Sequence, residues 1–266
     1  MSINLGGVVQ SINCGEGNKF FQLFTMLIYA DINELYIEKK KKYKILDIDY
    51  KPLEKNKQGD ISKNFEKVIL SSTHFDDNGE LKFFGRNKRY FVTDFFQNAN
   101  YLNKHYDILK KYINTEKIYK SLSFDNINIT DNDLLCILRM KEFKGNELVD
   151  KNYFLNIFKN NYNKIYFLIY PHDDCDLNIY IKQFEKYKDK ILFLSFNDKI
   201  KDFYIVNKFK HIAGSVSTFN WWSIYLCNNI ENKKIYMPLH TGKKKKYNQI
   251  TSRNHCKDLW NIRNNT

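Results

Sequence analysis

Arg139 closes the apolar run Leu134-Leu135-Cys136-Ile137-Leu138 and is followed by Met140-Lys141-Glu142. A guanidinium at the carboxyl end of a strand can grip a phosphate through two parallel N–H bonds; an ion pair with Glu142 is the plainer use of the same group. A second stretch, 211–226, runs His-Ile-Ala-Gly-Ser-Val-Ser-Thr-Phe-Asn-Trp-Trp-Ser-Ile-Tyr-Leu. There Gly214 separates a short strand from hydroxyls at Ser215, Ser217 and Thr218 at the start of a helix. Such hydroxyls cap helices, and with the positive helix end they also suit a diphosphate. A third stretch is Gly15-Glu16-Gly17-Asn18-Lys19-Phe20-Phe21-Gln22. Its glycines allow close backbone approach, and the helix start offers N–H groups to an anion. The G-x-G-x-x-G spacing of a dinucleotide site is absent. The fourth, Phe95-Phe96-Gln97-Asn98 with Tyr101, reads in isolation as an ordinary strand end. Cys14, Cys136, Cys175, Cys227 and Cys256 are far apart, without a C-x-x-C pair, and His supplies no short spacing either. Free, mostly buried thiols and no zinc site are expected.

The elements that must position these residues follow from hydrophobic pattern. In the second half, apolar strand-like runs at 134–139, 164–170, 191–196, 211–213 and 234–237 alternate with helical spacing at 153–160, 177–187, 199–207 and 218–228. That alternation predicts a parallel sheet covered on both faces, with ligands at the carboxyl ends of the strands. Trp221 and Trp222, adjacent on a helix, are expected to face different surroundings, one of them a wall or an interface. In the first half, a strand at 7–12, a turn at 14–18 and a helix at 20–30 open the chain. Further strands are expected at 35–37 and 90–96 and an amphipathic helix at 100–114; residues 38–64 read as a solvated excursion. The polar stretch 122–133 is the candidate connector, giving domains 1–128 and 129–266.

Charge is the feature that misleads most easily. The chain has 266 residues, 43 of them Lys or Arg against 30 Asp or Glu, for a formal charge of +13. Nucleic acid is the usual inference. Yet Arg occurs only at positions 86, 89, 139, 253 and 263, so the bidentate fork favoured at phosphate contacts is scarce. Abundant Lys, Asn, Ile, Tyr and Phe together are what codon bias in an AT-rich genome produces, so no nucleic-acid partner is expected. At 43% hydrophobic and 16% aromatic the chain must bury a core rather than stay disordered. No run approaches the ~18 apolar residues of a membrane span, and residues 1–19 lack the pattern of an export signal. A soluble, cytoplasmic protein is expected.

Taken in order, these stretches resemble the α-1,2-fucosyltransferases of glycosyltransferase family 11, related to the protein O-fucosyltransferases and α-1,6-fucosyltransferases. Residues 15–22 are similar to the family's G-G-L-G-N-Q-x-F-Q turn and helix. Residues 94–101 resemble its G-Y-F-Q-x-x-x-Y segment, and Tyr170-Pro171-His172-Asp173-Asp174 resembles F-S-D-D after a strand. Ser215 to Leu226 resembles S-x-S/T-F-S-W-W-A-x-L, with Asp202-Phe203 upstream as in the family. The departures lie near the donor phosphates. Of H-x-R-R-x-D only the second Arg, Arg139, is present, and Glu16 stands where the family has Leu.

The resemblance implies an α/β protein of GT-B architecture, with two facing Rossmann-like domains built on parallel sheets. The amino domain would take a glycan acceptor and the carboxyl domain GDP-β-L-fucose. Transfer would invert the anomeric centre without a metal or other cofactor. It further implies donor contacts at Arg139, Asp173, Asp174, Ser215, Ser217, Thr218 and Phe219. Arg139 would stabilise the leaving diphosphate, and Asn18 would touch a phosphate or the reacting oxygen. Glu16 is either a general base, as in protein O-fucosyltransferases with a glutamate near this turn, or a first-turn helix residue. A donor carrying another deoxyhexose such as L-rhamnose, and a non-catalytic binder of nucleotide sugar or glycan, remain alternatives.

Overall fold

In a computed structural model, which describes residues 7–9, 16–35, 37, 45–46, 48, 65–85, 88–94, 96–138, 151–169, 182–215, 217–238 and 247–250, the apolar runs of the second half form parallel strands. They are β4 (Leu134–Ile137), β5 (Ile165–Leu168), β6 (Ile191–Leu194), β7 (His211–Ala213) and β8 (Lys234–Pro238). With β9 (Tyr247–Ile250) they make one sheet in the order β6-β5-β4-β7-β8-β9, and β9 alone runs antiparallel. All pairings among β4 to β8 are parallel. The first strand in sequence therefore lies at the centre, and the chain winds outward on one side and then on the other. This is the order of doubly wound α/β sheets, whose crevice opens where the winding reverses, at the carboxyl ends of β4 and β7.

Both faces of that sheet are buried at β4 and β5, as unbroken apolar strands require, while the edge strand β6 leaves Leu192 exposed. Leu134, Cys136 and Phe167 face a cluster with Phe154, Ile157 and Phe158 of α5 (Lys151–Phe158) and with Phe184. The rings pack edge to face: Phe158 meets Phe184 at 5.3 Å and 62°, and Phe154 meets Phe167 at 6.1 Å and 77°. Burying one such ring contributes about 1.5–3 kcal/mol. Near the switch point the strands are followed by α6 (Lys199–Tyr204), capped by Asp198, and α7 (Thr218–Tyr225). The expectation for Trp221 and Trp222 needs correcting. Residues 219–225 are all buried, both indoles included, so α7 has no exposed side for either to line. Trp221 stacks on Tyr225 at 4.6 Å and 13°, and Trp222 meets Trp221 edge-on at 4.8 Å and 88°.

The chain divides into two compact units, Met1–Asn114 and Thr115–Thr266. The first has its own sheet, β1 (Gly7–Val9), β2 (Glu66–Leu70) and β3 (Lys88–Val92), parallel in the order β1-β3-β2. Helix α1 (Glu16–Ile32) is buried continuously from Phe20 to Ala30. Leu35 and Ile37, expected in a strand, are buried outside any strand, and the strand that pairs with β3 is β2. The helix expected at 100–114 is two, α2 (Ala99–Lys104) and α3 (Tyr106–Tyr112), separated at His105. There φ is −110° and ψ is 22°, and the imidazole Nε2 lies 3.0 Å from the Glu80 carboxylate. Helix α4 (Thr115–Ser121) opens the second unit. Residues 122–133, read above as a connector, also pack within it: Phe124 meets Phe196 at 5.6 Å, and Tyr166 donates to the Asn128 carbonyl at 2.9 Å.

Candidate functional site

At the β4–β7 switch point of the second unit, the chain leaves β7 through Gly214 and reaches α7 through Ser215 and Ser217. Gly214 N donates to Tyr236 O at 2.9 Å, and the buried Tyr153 hydroxyl bonds both Gly214 O, at 3.0 Å, and Tyr236 O, at 2.9 Å. The turn's backbone is thus tied to β8 and α5. Ser215 is buried, and its Oγ accepts from Asn220 Nδ2 at 2.5 Å. Ser217 occupies the N-cap with extended backbone (φ −151°, ψ 133°) and accepts Trp221 N at 2.9 Å, but its hydroxyl makes no cap bond. Simple side-chain capping is therefore not the use of Ser217. The first turn of α7, Thr218 and Phe219 included, carries the positive end of the helix. Phe219 packs edge-on against Phe203 at 5.3 Å, joining α7 to α6.

Asp202, on α6 beside Phe203, was a motif match in the sequence and no more. In the structure it is 2% exposed, and its Oδ1 has no hydrogen-bond partner. Burial pushes its carboxyl up to about 7; a backbone bond from Phe196 works the other way, and Asp198 adds to the rise. Such a carboxyl stays half protonated near neutrality, a state associated with functional sites. The signal that could have found it is one acid inside the otherwise apolar run 202–206.

The first unit gathers two of the sequence-selected stretches at the carboxyl end of β3. Asn18 and Gln22, one turn apart on α1, face the segment that follows β3. Gln97 Nε2 donates to Asn18 Oδ1 at 2.8 Å, and Gln22 Nε2 to Thr93 O at 3.4 Å. Gln22 is fully buried, with its Oε1 unpartnered. Phe96, just before Gln97, is 1% exposed and has φ of 50°, a left-handed conformation that is rare for a bulky residue and costs about 1–3 kcal/mol. Asn98 caps α2 by accepting Tyr101 N at 3.1 Å, and Tyr101 is core against Phe75 at 5.3 Å. So within the Phe-Gln-Asn stretch Asn98 and Tyr101 are structural, while Gln97 reaches the glycine-turn helix.

Glu16 stands in the first turn of α1 and pairs with Lys19 at 3.1 Å. Also at the carboxyl ends of the first unit's parallel strands, but missed in the sequence, is the segment after β2. Asp94 accepts from Ser72 N at 2.9 Å and from the Ser72 hydroxyl, and Ser71 Oγ lies 3.1 Å from His74 Nδ1. Arg139, Asp173 and Asp174 fall outside the described residues. Among the described residues no three His, Cys, Asp or Glu side chains gather as metal ligands, and no helix is long and apolar enough to cross a membrane. Compared with known proteins, the chain matches no family model and no curated protein.

Proposed function

We propose that this protein is an inverting, metal-independent glycosyltransferase of GT-B type, which moves L-fucose from GDP-β-L-fucose to a glycan hydroxyl. One observation carries the reading furthest. A serine-containing turn that leads into the start of α7 follows β7, beside β4, where a doubly wound sheet receives its ligand. A diphosphate placed there would meet the positive end of α7, with Ser215, Ser217, Thr218 and Phe219 around it, and the family resemblance would add Arg139 as a further phosphate contact. The acceptor oxygen would bond to the anomeric carbon from the face opposite the diphosphate as the carbon–oxygen bond to phosphate breaks. The hydroxyl proton would leave to a base, for which Glu16 is the candidate. Hydrogen bonds to the departing phosphate strengthen as its charge develops, so they lower the barrier rather than merely bind.

Calorimetric titration with GDP-fucose, GDP-mannose, dTDP-rhamnose and UDP-glucose, followed by a donor-hydrolysis assay with and without EDTA, tests this. Tighter binding of the GDP sugars and hydrolysis unchanged by EDTA are expected. Binding of a different base and sugar reassigns the donor, and binding without turnover makes the chain a nucleotide-sugar receptor. Silence towards every sugar nucleotide sinks the proposal, most clearly if polynucleotides bind with a steep salt dependence.

A further inference from the structure

We infer that Ser215 is a two-donor clamp for one phosphate oxygen, its N–H aimed by Tyr153 and its O–H by Asn220. The inference rests on the nucleotide-sugar reading for what carries that phosphate. Its preference for an oxygen without a proton stands on the second unit alone.

Ser215 is 3% exposed, and donors buried to that degree are almost always bonded. Both of its oxygens are engaged: Oγ accepts Asn220 Nδ2 at 2.5 Å, and the carbonyl accepts Ser217 N at 2.9 Å. Its two donors are not. Among the described residues, no acceptor meets the Ser215 N–H or its hydroxyl proton. An amide N–H₂ can only donate, so Asn220 makes Oγ the acceptor of their bond and turns the hydroxyl proton elsewhere.

The backbone donor is aimed through the peptide plane. A trans peptide carries its C=O and N–H on opposite edges. Tyr153 Oη holds Gly214 O at 3.0 Å while also bonding Tyr236 O of β8, so the Ser215 N–H points away from that strand. On its other side β7 borders β4, at whose carboxyl end the crevice opens. Two donors with no acceptor beside them fit an oxygen that brings no proton. A sugar hydroxyl carries a proton that needs a partner, and both Ser215 oxygens are already engaged. A diphosphate oxygen only accepts, and its charge makes each bond about twice as strong as a neutral one.

Inorganic diphosphate added to nitrogen-labelled full chain tests this chemistry without nucleotide or sugar. The Ser215 amide proton should move downfield and saturate, while methyl α-L-fucoside leaves it in place. No saturable shift with diphosphate, or an equal shift with the glycoside, overturns the clamp. Calorimetric affinities for diphosphate then separate aiming from plain support of the fold. Ser215→Ala should weaken binding about tenfold. Asn220→Leu should cost about threefold or more by itself, but less than about twofold on top of Ser215→Ala. Tyr153→Phe acts through the N–H instead, so it should weaken binding in both backgrounds and shrink the saturated Ser215 shift. An Asn220→Leu loss of equal size in both backgrounds, or a full saturated shift in Tyr153→Phe, assigns those side chains to the fold alone and overturns the inference. Protein that binds diphosphate at Ser215 and ignores every sugar nucleotide would count against the functional reading and leave the clamp established.

Discussion

Asp202 is the residue whose chemistry is easiest to isolate. Its carboxyl is raised from 3.8 to about 7 by burial, so the folded chain holds a proton that the unfolded chain releases. Below about pH 4 both forms are protonated and the group has no pH-dependent effect. Between about 4 and 7 stability falls as pH rises, because only the unfolded state ionises freely; above that range the full cost, on the order of 4 kcal/mol, persists. Asp202→Asn removes the titration. Its thermal stability relative to wild type is expected to improve from pH 4 to pH 7.5, with no further gain above. A difference between the two proteins that stays constant with pH would show that the Asp202 carboxyl is solvated. The sequence offers one hint, an acid inside the otherwise apolar run 202–206, but its burial and the resulting titration are matters of packing. The opposite holds for Ser215 and Ser217: hydroxyls after a strand and a glycine announced a helix start, and the structure places them there. What spacing could not tell is that the Ser217 hydroxyl leaves the cap unused and that Asn220 occupies Ser215. Those are matters of rotamer and neighbour. The Gln97–Asn18 bond joins residues 79 positions apart, and no local pattern encodes such a contact.

Elements were legible where burial is complete on both sides, as in β4 and β5, whose four residues each are all buried. β2 was not. As an edge strand with only Leu70 buried, Glu-Lys-Val-Ile-Leu carries charge where a central strand carries aliphatics, and its pattern raised no strand expectation. Its Lys67 and the Arg89 of β3 both lie over the Phe91 ring, at 4.6 and 5.2 Å, which lets a polar-looking strand cover an aromatic one. The 100–114 helix is interrupted at His105, whose imidazole meets Glu80, 25 residues earlier, a partner that no helical period within the segment reveals. At the turn after β7 the packing makes a sharper claim. A Cβ added at Gly214 would collide with Met237 Sδ on β8 and sit 3.1 Å from Ile224 Cδ1 on α7. Gly214→Ala should therefore lower stability by about 1–3 kcal/mol, and Met237→Ala alone by about 2–5. The space vacated at Met237 is the space the new methyl needs. The double variant is accordingly expected to lose clearly less than the two single losses combined, as measured in denaturant titrations. Strict additivity would mean that the turn moves away from β8 instead.

At the scale of the whole molecule, the chain's +13 charge reveals less than its division into two units. The sequence boundary at 128/129 followed composition, because residues 122–133 are polar and aperiodic. The compact units divide at 114/115 instead, since a polar segment joins whichever side offers its few apolar groups a place. Phe124, 5% exposed, meets both Tyr119 of α4, at 6.3 Å, and Phe196 beyond β6, at 5.6 Å. Asn128 O takes the Tyr166 hydroxyl at 2.9 Å, and Asp133 accepts Thr130 N at 2.7 Å and Lys164 N at 3.0 Å. A fragment beginning at 115 keeps all of these contacts. One beginning at 129 loses the Phe124 ring, worth about 3–5 kcal/mol by analogy with Phe→Ala in a core, and leaves the Tyr166 hydroxyl without its acceptor, about 1–3 kcal/mol more. That sum approaches the entire stability of an ordinary domain. Fragment 115–266 is thus expected to melt cooperatively and give dispersed amide spectra, while 129–266 shows a broad, early transition or aggregates. Placing Phe124→Ala in the longer fragment should reproduce most of the deficit. Equal melting of the two fragments would mean that residues 115–128 are a linker in energetic terms, whatever they touch.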